Sequence, residues 1–382
     1  MSYVTRNGSK VHSGTHNEEI FTRDGYKVLA LTTALLGLLG FCNNLLVLIL
    51  YCRFRTLRTP LNLLLVNISF SDLILSLFDV TFTFASCVSQ QWIWGEAGCV
   101  FAGFCKTLLG SVSVFTLTVV AYERYVRVVY DKVIDYIWSG QAIMCVWLYS
   151  LAWTAAPLLG WNKYILELHG LDCSLDWISK NPKESSFILL FFLTGKVIPV
   201  GIMTYCYGYI LYSIRMIRNI HMLQTSHILK ILHYEIKVSQ MCFLMMLAFL
   251  ICWMPYPVVS LLAMCGYGNM ITPTVAIVPS FLSIFSTATN PVIYIISKKF
   301  RQGFLKLFCL KCLRIQAMAV NLRKKTAGKM RKGGNRRKQR VTFSSSSLSA
   351  IMTTGETGTQ QSIKNTESIH RTNVKIIYVQ PL

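Results

Sequence analysis

The chain has 382 residues, 53% of them hydrophobic and 14% charged, with a mean hydropathy of +0.47. A water-soluble globule of that composition would be covered in apolar surface, so an ordinary soluble domain is excluded and lipid is the expected solvent. The net charge of +22 would suit a nucleic-acid binder, but much of it lies after the last apolar run, in Arg323–Arg340. On a membrane-attached chain such a stretch is drawn to anionic lipid at about 1 kcal/mol per basic residue near the surface, so lipid rather than nucleic acid is the expected partner.

Taken in chain order, residues 1–25 form a polar amino-terminal tail without the basic start, apolar core and small-residue cleavage site of a signal peptide. The first span is then its own insertion signal. Asn7, in Asn-Gly-Ser, is a candidate N-glycosylation site or an unused motif. A helix needs roughly 20 apolar residues to cross hydrocarbon. Seven such runs follow, near Val28–Tyr51, Leu61–Ser86, Val100–Val129, Ile143–Leu159, Phe187–Tyr212, Val238–Met264 and Thr272–Ile296. Each must be helical, because lipid leaves no partner for unpaired backbone. The predicted fold is therefore all-α, a seven-transmembrane helix bundle over residues 26–297.

Positive residues fix the expected orientation. Arg53, Arg55 and Arg58 follow the first span and Arg124, Arg127 and Lys132 follow the third, whereas the segments Ser89–Gly98 and Cys265–Ile271 carry none. This places the amino terminus outside. After the seventh span, residues 298–312 read as a short amphipathic helix on the inner leaflet, beginning Lys298-Lys299-Phe300-Arg301. Residues 313–382 form a basic tail in which the Ser-rich stretch from Val341 reads as disordered and phosphorylatable, or as plain solvated chain.

Most of the 13 cysteines lie within spans, where a thiol behaves as a small apolar group, and none shows metal-ligand spacing. Cys99 and Cys173 differ, one at the outer mouth of the third span and the other in the longest outer loop, both on the oxidising side. No nucleotide loop or nucleophile triad appears, so an enzyme is not expected. A transporter or channel is disfavoured by the lack of an internal repeat or paired broken helices.

Polar groups inside spans are costly and tend to mark function. Here they are Asn44, Asp72, Trp147, Pro199 with Tyr207, Cys252-Trp253-Met254-Pro255-Tyr256 and Asn290-Pro291-Val292-Ile293-Tyr294, with Glu123-Arg124-Tyr125 closing the third span. Pro199, Pro255 and Pro291 each free a carbonyl and bend a helix, making candidate pivots. Arg124 is placed to pair with Glu123 beside it and with Glu235 at the base of the sixth span, holding two helices together at rest; its bland reading is an interface residue that snorkels.

Together these motifs resemble the rhodopsin-like G-protein-coupled receptors, from about Tyr26 to Cys312. Longer strings are similar to the opsin family, in particular its encephalopsin or panopsin group: Leu57–Pro60, Leu63–Ser69, Leu148–Trp153, Ala156–Asn162, Cys206–Met216 and the tail's Val-Thr-Phe-Ser-Ser-Ser. The resemblance implies a heterotrimeric G protein as partner, with arrestin and a receptor kinase acting on the tail. It also implies a Cys99–Cys173 disulfide, a sodium and water site at Asp72, and palmitoylation of Cys309 and Cys312, which are otherwise unmodified thiols.

Opsins hold retinal as a Schiff base on a seventh-span lysine six residues before the Asn of Asn-Pro-x-x-Tyr. That position here is Ile284, and the usual counterion position three residues after the outer cysteine is Ala102. Retinal is therefore not expected at the usual place. The loop acid six residues before Cys173 persists as Glu167, in the pocket or as a solvated loop carboxylate. New charges appear in the expected ligand pocket beside Trp253 and Tyr256: Lys106, about 10 Å or two turns into the third span, Asp79 on the Asp72 face of the second, and Lys196 before Pro199. Three readings of them stay open. Lys106 carries a relocated Schiff base with Asp79 as counterion; Asp79 and Lys106 form a buried ion pair in a receptor for a polar ligand or with basal activity only; or Lys106 and Lys196 snorkel with no specific role.

Overall fold

A computed structural model describes residues 20–177, 179, 181–219, 226–267, 270–294 and 299–307. Asn7, Lys298, Cys309, Cys312 and the tail from residue 313 lie outside the described residues.

Among the described residues six helices are long and apolar enough to cross a membrane: α1 (Arg23–Arg53), α2 (Pro60–Ser89), α3 (Gly95–Val129), α4 (Tyr136–Leu159), α5 (Pro182–Met216) and α6 (His233–Leu262). A seventh, α7 (Pro273–Tyr294), packs on α1 and α6. Residues 299–307 form a further short helix, α8. The spans start where local chemistry caps them. Thr22, Thr59, Asp135 and Asn181 each accept a hydrogen bond from a backbone N–H of the first turn, and Pro60 and Pro182 occupy first-turn positions where a missing N–H costs nothing.

Several helices exceed the apolar runs. α4 begins at Tyr136 rather than near Ile143, and α5 at Pro182 rather than near Phe187. Hydropathy marks only the hydrocarbon-facing stretch, while the polar first turns continue the helix under their caps.

α1 buries Ala30, Thr33, Gly37, Gly40, Asn44 and Val47, a stripe recurring every three or four residues, and exposes Val28, Leu31, Leu35 and Leu38. That leucine-rich outer face is intelligible only against lipid. α3 is the central post: 67% of its apolar stretch is buried, against 28% in α1 and 22% in α4. It packs on α2, α4, α5 and α6. The main apolar core gathers Leu64, Leu65 and Ile68 with Leu117, Val120, Met245 and Phe249. Phe300 of α8 is buried and stacks on Tyr294, 5.2 Å between centroids. Gly40 lets α1 approach closely, since a Cβ there would lie 2.5 Å from Thr287 Oγ1 and 2.6 Å from Ser76 Oγ.

Among the described residues, α2, α5, α6 and α7 are not regular. α2 passes through a π turn at Val80–Phe84 and α5 through another at Leu193–Val197, immediately before Ile198-Pro199. α6 is interrupted at Met254, immediately before Pro255, and α7 contains Pro279 as well as Pro291. The all-α expectation needs one addition. The segment between α4 and α5 contains an antiparallel hairpin, β1 (Tyr164–Leu166) and β2 (Cys173–Leu175), in register Leu166 opposite Cys173. The Cys99–Cys173 disulfide ties β2 to the start of α3 across 74 residues of sequence.

Candidate functional site

Three polar clusters lie along the bundle, at the disulfide end, in the middle and at the Arg124 end. At the disulfide end, the hairpin lowers the segment Glu167–Cys173 onto the helices. Lys106, two turns along α3 from Cys99, forms a buried salt bridge with Asp172, and Asp172 Oδ1 also accepts from the Cys173 N–H at 2.8 Å. This corrects the expected Asp79–Lys106 pairing. Asp79 is buried at 4% exposure, close enough to feel the charges of Lys106 and Asp172, yet its Oδ2 has no hydrogen-bond partner among the described residues. The reason is covalent: Cys173 is fixed to α3 at Cys99, so its neighbour Asp172 is delivered to Lys106 directly.

Glu167, which the sequence left between pocket and solvent, sits in the pocket with a side chain only 9% exposed. Its carboxylate accepts from Tyr256 Oη at 3.2 Å and Ser280 Oγ at 3.0 Å, and lies 3.0 Å from His169 Nε2. Burial pushes this carboxyl up, but the hydrogen bond and charge of His169 and the charge of Lys106 hold it at about 2. Lys106 also lies over the Tyr256 ring at 5.6 Å. The loop thus holds α3, α6 and α7 together through one continuous polar network.

Deeper, Trp253 Nε1 donates to Ser286 Oγ at 2.9 Å, two residues after Ile284. Its ring rests on Gly110, where a Cβ would lie 2.4 Å from it. Lys196 projects from the π turn of α5 over the same aromatic floor, 5.3 Å from the Trp253 centroid and 5.5 Å from that of Phe249. Ile284 is fully buried. An alkyl side chain forms no imine, so a Schiff base at this place does not fit the residues present. Among the described residues no His, Cys, Asp and Glu group could hold a metal ion.

In the middle, Asp72 Oδ2 accepts from Asn290 Nδ2 at 2.8 Å and Oδ1 from Ser113 Oγ at 3.2 Å. Asn44 Nδ2 donates to the carbonyls of Gly40 and Thr287, joining α1 to α7. Asn67 joins three helices, donating to Thr116 and accepting from Trp147 Nε1, both at 2.9 Å. At the Arg124 end, Arg124 Nη2 donates to Glu123 Oε1 at 2.6 Å and Nη1 to Glu235 Oε2 at 2.9 Å. Arg127 shares Glu235 at 3.3 Å and pairs with Asp131 at 3.2 Å. Nearby, Tyr294 Oη donates to the Leu65 carbonyl at 3.2 Å, Tyr125 Oη faces Tyr130 Oη at 3.1 Å, and Tyr207 packs edge-on against Phe243 at 5.1 Å. Pro291 is buried beside Asn290.

Sequence reading passed over Asp172, His169, Ser280 and Ser286. Asp172 carried one usable signal, its adjacency to Cys173; the serines carried none, since short hydroxyl side chains occur throughout the spans.

The profile of the family described as "7 transmembrane receptor (rhodopsin family)" matches residues 43–294. Opsin-3 of Mus musculus is 49% identical over 371 residues, covering 95% of this chain and 92% of its own. Melanopsin of Felis catus is 34% identical over 295 residues, covering 73% of this chain and 60% of its own. The crystal structure of squid rhodopsin superposes with a TM-score of 0.71 at 30% identity, covering 76% of this chain and 87% of that one.

Proposed function

The chain belongs to the rhodopsin family of seven-transmembrane receptors, and from that premise we propose that it is a plasma-membrane receptor that signals to a heterotrimeric G protein in response to a ligand held non-covalently. Its amino terminus is outside, in keeping with the basic residues Arg53, Arg55 and Arg58 in the segment between α1 and α2. Arrestin and a receptor kinase act on the Ser-rich tail, the basic tail binds anionic lipid, and Asn7, Cys309 and Cys312 are the modification sites of this reading. Asp72 with Asn290 and Asn44 forms the interior polar site.

The observation that carries the reading is the clamp at Arg124. One guanidinium bridges Glu123 on its own helix and Glu235 on α6. A charged group so placed stabilises only the arrangement in which α3 and α6 are adjacent, and its release frees α6 to swing from the Met254–Pro255 break. The groove so opened is where the G protein docks. Arg124→Leu should fold and reach the membrane yet lose G-protein nucleotide exchange. A folded Arg124→Leu receptor exchanging at the wild-type rate would overturn the mechanism.

A second reading has one specific support. Lys106 has carboxylates within electrostatic reach in Asp172, Glu167 and Asp79, the surroundings a protonated imine requires. In that reading Lys106 is the retinal lysine. Its amine is engaged by Asp172, however, so the non-covalent reading is preferred.

A further inference from the structure

The two intramembrane lysines are in opposite situations. Lys106 is matched by Asp172, with Glu167 and Asp79 nearby. Lys196 makes no salt bridge and no hydrogen bond to an acceptor among the described residues; its neighbours are the rings of Phe249 and Trp253. Snorkelling does not explain it. A snorkelling lysine carries its ammonium away from the core, whereas Lys196 Nζ lies over two inward rings, Phe249 at 2% exposure and Trp253 at 8%. The energetics do not balance as they stand. Lys196 is half-buried, and a cation–π contact offsets only part of the cost of drawing an ammonium out of water. Neutralising the amine would leave its N–H groups without acceptors, a further penalty.

A compensating anion resolves the deficit. The surroundings specify the rest of that molecule: an aromatic floor from Phe249 and Trp253, with Trp253 tied to Ser286 two residues from the fully buried Ile284. We infer that Lys196 is the anchor of a ligand site for a carboxylate with an apolar body, the acid pairing with the ammonium and the body lying along Trp253 towards Ile284. The contact with Trp253, next to the Met254–Pro255 break, gives such a ligand direct purchase on α6. This deepens the non-covalent reading above and rests on it.

The test uses the full chain in lipid nanodiscs without G protein, so that binding is read independently of signalling. Retinoate is compared with retinol and oleate with oleyl alcohol, each pair differing only at the head group. At least one acid should bind roughly tenfold or more tighter than its alcohol, the worth of one charge-assisted hydrogen bond. Lys196→Met should abolish that preference and Lys196→Arg should keep it. Equal binding of acid and alcohol in both pairs, no binding of either acid, or a preference surviving Lys196→Met would each overturn the site. If Lys196→Met does not fold, the wild-type acid-to-alcohol ratio still decides. Retinal trapped by borohydride and mapped to Lys196 would overturn it too, by showing an imine in place of an ion pair. Loss of the acid preference with intact nucleotide exchange would sink this site alone, whereas missing exchange with a retained preference would sink only the signalling reading.

Discussion

At the scale of single residues, the pocket depends on which carboxylate meets Lys106. Two acids compete, Asp79 from α2 and Asp172 from the disulfide-tethered loop, and the loop acid takes the salt bridge. Breaking a buried pair by removing one member costs about 3–5 kcal/mol, whereas removing both together is often close to neutral. Asp172→Asn should therefore lower the thermal midpoint of the purified receptor markedly, and adding Lys106→Met to it should recover most of the loss. The same cycle run with Asp79→Asn should give a smaller coupling to Lys106. A coupling larger with Asp79 than with Asp172, measured by thermal unfolding at neutral pH, would reverse the assignment.

Between elements, Gly110 of α3 lies directly under the Trp253 ring of α6. An added methyl group at that position must displace the indole and strain its bond to Ser286, and overpacking of this kind costs about 1–3 kcal/mol. Gly110→Ala should lower the melting temperature, and Gly110→Ala with Trp253→Leu should fare better than Gly110→Ala alone; additive losses would show that the contact is not tight. The same elements show what a sequence conveys. All seven spans were visible because each is a continuous apolar run, the seventh with Asn290-Pro291 and Tyr294 near its end. The Arg124 neighbours were legible because Glu123 is adjacent and Glu235 is the acid at the base of the sixth span. The π turns at Val80–Phe84 and Leu193–Val197 were not, since one residue of helical slippage leaves hydropathy unchanged. Nor was the descent of Asp172, which depends on a disulfide closing a 74-residue separation and on a hairpin too short to leave a periodic pattern.

For the whole molecule, the clamp at Arg124 acts on an equilibrium between a closed and an open arrangement of α3 and α6. Glu235 is the member of the network on the moving helix, and it accepts from both Arg124 and Arg127. A hydrogen bond to a charged group contributes about 1.5–3 kcal/mol, and by population arithmetic its loss from the closed state alone raises the open fraction roughly 10- to 100-fold while that fraction remains small. Glu235→Gln should therefore raise basal nucleotide exchange without ligand, by less than the upper figure because Glu123 still holds Arg124. Asp131→Asn supplies the control. Asp131 pairs with the same Arg127, but its side chain is 58% exposed and the pair lies within one segment, so its removal is worth at most about 1 kcal/mol and biases neither state. Exchange is measured per folded receptor, with the two variants side by side in the same lipid. Equal basal rates for Glu235→Gln and Asp131→Asn would mean that the bridge between α3 and α6 does not set the resting state, and the signalling mechanism would have to be sought elsewhere in the bundle.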